Sequence, residues 1–268
     1  MPGEHAASPL APMPDDLEAQ VETRRPESLA TSARLGPSAA PLLARLARHA
    51  DPEVRAQALI CLRASGGREA APTALAALDD ADATVVADAL QVLQAHPPAD
   101  DNALLAAYQR HEEPRDQLAL IAGRLGARAH VATWKTHWRT SQPGTALANE
   151  LLAAVARMGD AEARKEFTVR LTSARGYESP PWIDRAVYQE DPWVLEPLSR
   201  LLDQTERATE LTPDDSSDLR PLRTCDLAAN AILRLTRARV AFEAPRAKPY
   251  TDAELAEFRR LAVGAARR

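Results

Sequence analysis

The sequence predicts an all-α protein made of stacked antiparallel helix pairs, and three observations carry that prediction. Apolar residues make up 45% of the 268-residue chain but aromatics only 4%, so the apolar content is mainly Ala and Leu. Those residues lose little rotamer freedom in a helix. Long alternating runs of β-branched residues, which would signal strands, are missing. The third observation is a self-similarity at a fixed offset of 31 residues, the mark of a repeat architecture.

The offset aligns turn residues and apolar residues together. Asp51-Pro52-Glu53-Val54-Arg55 recurs as Asp82-Ala83-Thr84-Val85-Val86, then as Glu113-Pro114-Arg115-Asp116-Gln117. It also maps Pro41 onto Pro72, Leu59 onto Leu90 and Ile121, and Leu62 onto Leu93. Each unit reads as helix, short turn, helix.

The first 33 residues are Pro-rich and read as a flexible segment, with short helices allowed. They carry no basic stretch followed by an apolar run, so a signal peptide is not expected. In the first full unit Leu42, Leu43, Leu46 and Ala47 form an apolar stripe. Asp51 should cap the next helix, with Pro52 at its first position, where a missing N–H costs nothing. Val54, Ala58, Cys61 and Leu62 give that helix its buried stripe, and Gly66-Gly67 should end it. Neither helix can bury its stripe alone, so neighbouring pairs must share a core.

Past residue 126 the period drifts. Helices are expected at about 129–140, 144–158, 160–174, 181–189, 192–204, 219–237 and 251–266, with a polar loop over 205–218. Asp191-Pro192-Trp193-Val194 restates the capped turn, and Thr251-Asp252-Ala253-Glu254 is a capping box for a final helix. The expected organisation is a repeat stack over 34–240, then a linker and capping helix over 241–268.

The segment PLLARLARHADPEVRAQALICLRASG resembles a HEAT repeat, with the family's Asp-Pro turn and the Val-Arg after it. The resemblance is to armadillo-like HEAT proteins of bacterial type and covers residues 37–126 best. It implies a right-handed α-solenoid of about five to six helix pairs, with second helices on the concave side. It also implies a scaffold for a protein partner, such as an adaptor or a toxin-neutralising immunity protein, and with no signal peptide or membrane span expected a cytoplasmic, non-enzymatic protein is the default. In the family the turn Asp and the Arg four residues later link adjacent repeats. Asp51 and Arg55 match, whereas the next two units carry Val86 and Gln117 instead of Arg.

Second-helix residues off the buried stripe are the candidate partner-binding residues: Gln57 and Ile60, Asp88 and Gln91, Arg115 and Leu118. Trp134 and Trp138 would extend that surface from a basic segment. Net charge is −4 over residues 36–126 and +4 over 127–176, within −5 for the whole chain. The acids at the turns read first as N-caps and solubilising charge, and alternatively as a docking edge for a basic partner. An alternative function, a HEAT-like DNA glycosylase or other nucleic-acid binder, would use the basic Trp-containing segment 127–176. The acidic repeats argue against nucleic acid, because phosphate tracking needs a continuous basic stripe.

A cluster of Tyr177, Trp182, Tyr188 and Trp193 reads as either a plug where the period breaks or an interface. His130 and His137 sit about 10 Å apart along a helix, too far to share one zinc ion. No catalytic motif, cofactor fingerprint or metal-ligand spacing is found, so neither enzyme activity, cofactor nor metal is expected. No stretch is long and apolar enough to span a bilayer. Cys61 and Cys225 fall on apolar faces and read as buried free thiols, though one disulfide stays possible.

Overall fold

The computed structural model describes residues 14–126, 128–210, 221–246 and 248–266, and over these the chain is all-α. It divides into two compact units, residues 1–125 and 126–268. The Pro-rich residues 1–13 and the tip of the polar loop, 211–220, lie outside the described residues.

In the first unit α1 (Pro14–Glu22) and α2 (Glu27–Leu35) precede the repeat pairs α3 (Ala40–Leu46) with α4 (Pro52–Ser65), α5 (Ala70–Ala77) with α6 (Ala83–Ala95), and α7 (Asp101–Arg110) with α8 (Arg115–Leu125). The expected caps form. Asp51 accepts the Glu53 N–H at 2.9 Å, and Asp82 accepts those of Thr84 and Val85 at 2.8 and 3.3 Å. Each satisfies donors that the first turn of a helix leaves orphaned. Val54, Ala58, Cys61 and Leu62 are all buried, as the stripe predicts, and so is Leu59. Leu59 is covered because α4 packs against α2, α3 and α6 at once.

Gly66 and Gly67 end α4 with φ of +70° and +102°, values that side-chain-bearing residues avoid. Space is also short there: a Cβ on Gly67 would lie 2.8 Å from the Ala40 Cβ, and one on Gly66 would lie 3.0 Å from the His96 ring. His96 is the C-cap residue of α6, its backbone N–H donating to the Val92 carbonyl, and its ring reaches back across the repeat with Nε2 2.8 Å from the Arg63 carbonyl oxygen.

Adjacent pairs are tied by ions as well as by the core. The Arg55 guanidinium makes a bidentate contact with Asp80 at 2.7 and 2.8 Å and donates to the His49 and Ala50 carbonyls, both at 2.9 Å. The inter-repeat link implied by the HEAT resemblance therefore exists at Arg55. Its acceptor is Asp80 rather than the capping Asp82.

The second unit contains α9 (Val131–Thr140), α10 (Ala146–Arg157), α11 (Ala161–Ser173), α12 (Ser179–Gln189), α13 (Leu195–Arg200), α14 (Thr224–Thr236) and α15 (Asp252–Ala266). Helices α10, α12 and α14 pack in succession, as do α11, α13 and α15. The Arg55 arrangement returns here. Asp160 caps α11 through the Ala163 N–H, and Arg164, four residues on, donates to the Ala156 carbonyl and to Asp191 of the following turn. Asp160 and Asp191 are again separated by 31 residues, so the period resumes within this unit.

The Thr251–Glu254 capping box forms, with the Glu254 carboxylate accepting the Thr251 N–H at 2.7 Å. Arg246 and that N–H hold the Glu254 carboxyl down at about 2. Beside it Asp226 is fully buried and fully occupied, accepting from the Arg223 guanidinium and from the Arg223 and Tyr250 N–H groups. Both cysteines are free and buried. Among the described residues no helix is long and apolar enough to cross a membrane.

Candidate functional site

The residues expected to form a partner surface meet different fates. In the first unit Ile60 and Asp88 are half-exposed and Gln91 is exposed. Arg63 joins them by bonding the Gln91 amide oxygen. Burial pushes the Asp88 carboxyl up, opposed by the nearby Arg63 charge. These residues of α4 and α6 remain a small mixed patch.

Gln57 is engaged elsewhere, donating to the Ser28 hydroxyl of α2 at 2.8 Å. Arg115 is folded back on α7, donating to the Tyr108 and Gln109 carbonyls with its guanidinium 5.5 Å from the Tyr108 ring centre. Two expectations are corrected outright. Leu118 and Trp134 have no exposed surface and cannot present themselves to a partner. Leu118 belongs to the inward face of α8 with Ile121 and Ala122, and Trp134 is the largest fully buried side chain among the described residues.

Only Trp138 of the aromatic pair reaches the surface of the second unit, where it forms one wall of an open groove of about 450 Å³. The groove is built by three elements. Helix α9 contributes Trp138 and Arg139, α10 contributes Ala148, Asn149 and Leu152, and α11 contributes Glu162, Lys165, Glu166, Val169 and Arg170. The α11 set follows from helical spacing. Ala163, Phe167 and Leu171 take the inward stripe, which leaves 162, 165, 166, 169 and 170 on the opposite side. The turn Ser141-Gln142-Pro143-Gly144 separates α9 from α10, with Gly144 at φ +83°. The small Ala148 side chain at the start of α10 leaves the space open.

The charges of the groove are mostly matched. Arg139 and Lys135 both bond Glu162, and together they hold its carboxyl down at about 2. Lys135 also bonds Asp160 at 2.8 Å, and Arg170 bonds Glu166 at 2.8 Å. Lys165 has no ion-pair partner among the described residues, and the Asn149 amide makes no hydrogen bond there. Val169 stands 52% exposed between these polar groups. Lys165, Asn149 and Val169 escaped the sequence reading. The available signal was an apolar Val at a position that the Ala163–Phe167–Leu171 stripe turns outward.

The aromatic cluster resolves as a plug. Phe167 is fully buried and meets the Trp182 and Trp193 rings edge to face at 5.7 and 5.6 Å. Arg185, Arg164 and Arg157 lie over Trp182, Trp193 and Tyr188 at 5.0, 5.2 and 4.9 Å. Tyr177 alone of the four stays more than half exposed. Several cations of 127–176 are paired locally: Arg157 bonds Glu190 and the Tyr188 carbonyl, and Arg164 bonds Asp191. The acids at the turns of the first unit are engaged in the same way, with Glu53 paired to Arg24 and Asp79 to Arg110. Among the described residues no cluster of His, Cys, Asp and Glu is arranged to hold a metal ion.

Compared with known families, residues 27–94 match HEAT repeats. That span begins at α2, so α2 counts with α3 to α6 in the matched segment. No curated protein and no solved structure matches the chain.

Proposed function

We propose that this HEAT-repeat chain is a non-enzymatic scaffold that binds a protein partner. HEAT repeats form helical scaffolds that often mediate protein interactions, and residues 27–94 are of that kind. The observation that carries the proposal is the open groove on α9, α10 and α11. Its apolar lining of Trp138, Leu152 and Val169 sits beside Lys165 and Asn149, whose side chains have no partner among the described residues. An exposed apolar centre with a polar rim is the anatomy of a protein interface. The mixed patch of Ile60, Arg63, Asp88 and Gln91 offers the first unit a second contact region. A cytoplasmic adaptor or toxin-neutralising role in a bacterial setting is the finer form of the proposal and rests on fold resemblance alone.

The pairing of Lys135, Arg139, Arg157, Arg164 and Arg170 with carboxylates disfavours a polyanionic partner. Partners captured from the native host with the full chain, then purified and titrated by calorimetry, test the proposal. Trp138→Ala and Ile60→Asp should each leave the helical spectrum unchanged while weakening binding more than about tenfold, roughly 1.4 kcal/mol. Tight binding to DNA or RNA that falls steeply between two salt concentrations would overturn it.

A further inference from the structure

We propose that the groove on α9, α10 and α11 receives an extended segment of the partner, in which one aliphatic or aromatic side chain is flanked by a carboxylate. This deepens the scaffold reading and rests on it. Each part of the ligand answers to a feature of the groove. The apolar side chain answers to Trp138, Leu152 and the exposed Val169, which all line the groove. At about 450 Å³ the space lies toward the low end of ligand clefts, ~300–1,000 Å³, enough for a large side chain and the backbone on either side.

The extended form answers to Asn149. Its carboxamide can donate and accept at once, and no group among the described residues hydrogen-bonds it. A helical ligand has its backbone groups paired internally, whereas an extended one offers free N–H and C=O groups to such an amide.

The carboxylate answers to Lys165. The groove carries three cations, Arg139, Lys165 and Arg170, and two carboxylates, Glu162 and Glu166. Arg139 and Arg170 are matched to those carboxylates, so a single positive charge is left over, on a lysine at the exposed rim. One carboxylate neutralises it. A polyphosphate chain would meet Glu162 and Glu166 with like charge, and a basic segment would meet Lys165 with like charge.

The test uses the full chain and two peptides carrying fluorescein on the N-terminal amine, Gly-Ser-Asp-Leu-Ser-Ser-Gly-amide and the same peptide with Lys in place of Asp, titrated by fluorescence polarisation. The acidic peptide should bind at least about tenfold more tightly than the basic one. Lys165→Glu should reverse that preference. Val169→Asp should abolish binding of the acidic peptide, and Asn149→Ala should weaken both peptides by about two- to tenfold, the worth of one hydrogen bond. All three side chains project from the groove face, and circular dichroism of each variant checks that the helices persist. Equal affinity for both peptides, an unchanged preference in Lys165→Glu, or no binding of the acidic peptide below about 1 mM would each overturn the proposal. A purified partner that still binds Lys165→Glu and Val169→Asp at full strength would refute the groove's occupant and leave the scaffold reading standing. Peptide binding as expected without any protein partner would do the reverse.

Discussion

Arg55 and Asp80 join the first two matched repeats, and replacing Arg55 with Met tests whether ionic links hold the stack together. The side chains are only 17% and 12% exposed, so they sit well below the solvent screening that makes surface pairs nearly worthless. Arg55→Met removes two charge-assisted hydrogen bonds to Asp80 and two donations to the His49 and Ala50 carbonyls. It leaves Asp80 with the Asp82 N–H at 2.9 Å as its remaining donor. Breaking a fully buried pair costs ~3–5 kcal/mol because one charge is stranded. With water access to the pair the expected loss falls short of that range but exceeds the loss from breaking an exposed pair.

The pH dependence fixes the cause. Arg55 holds the Asp80 carboxyl below its ordinary value. The stabilisation is therefore fully present above the unfolded carboxyl pKa, ~3.9, and is lost as pH falls through the lower folded value. Urea unfolding at neutral pH, repeated in steps down to about pH 3, should show the gap between the variant and the parent chain narrowing toward the acid end, with the share from the His49 and Ala50 carbonyls persisting. Hydrogen exchange should place the loss in α4 and α6. As a control, Arg200→Met breaks a pair whose partners are 59% and 56% exposed and should cost under about 0.5 kcal/mol. A loss at Arg55 no larger than at Arg200, or one that does not shrink with acid, would refute the reasoning.

Three further outcomes are expected. Leu62→Ala should cost about 2–5 kcal/mol in urea unfolding, since Leu62 is fully buried; a loss below roughly 1 kcal/mol would place its side chain outside the core. Phe167→Ala should cost about 3–5 kcal/mol and alter tryptophan fluorescence, because the ring meets both Trp182 and Trp193; unchanged emission would contradict the plug. Burial pushes the Cys225 thiol up to about 11, so native protein at pH 8 should resist thiol labelling at Cys225 and at buried Cys61, with both reacting in urea. Fast labelling of either in the native state would contradict their burial.

Much of the fold could be read directly, because helices announce themselves locally. A capping Asp, a Pro at the first position and apolar spacing of three and four residues all lie within one stretch of chain. The expected second-unit segments at about 129–140, 144–158 and 160–174 appear as α9 at Val131–Thr140, α10 at Ala146–Arg157 and α11 at Ala161–Ser173. The site was far less legible. Assigning Gln57, Arg115, Leu118 and Trp134 to a partner surface assumed that a helix with one buried stripe leaves its other faces open. Helix α4 is instead covered by α2 as well as by α3 and α6, which engages Gln57 with Ser28. Leu118 lies inward on α8, and Trp134 is buried without trace of exposure on α9.

What the sequence determined by itself was most of the helices from α3 onward, the caps at Asp51, Asp82 and Thr251, and the inward stripe of α4, since all of these depend on residues within about two turns of one another. The link from Arg55 was implied only by the HEAT resemblance, and its acceptor, Asp80, was not. Tertiary structure alone decided which of the remaining faces meet solvent. It seated Arg164 on Asp191 and matched Arg139 and Arg170 to carboxylates. It also brought Trp138, Asn149, Lys165 and Val169 from three helices to one groove. The physical reason is that a helix buries whichever faces its neighbours cover, and the identity of those neighbours is a property of the packed chain rather than of any one segment.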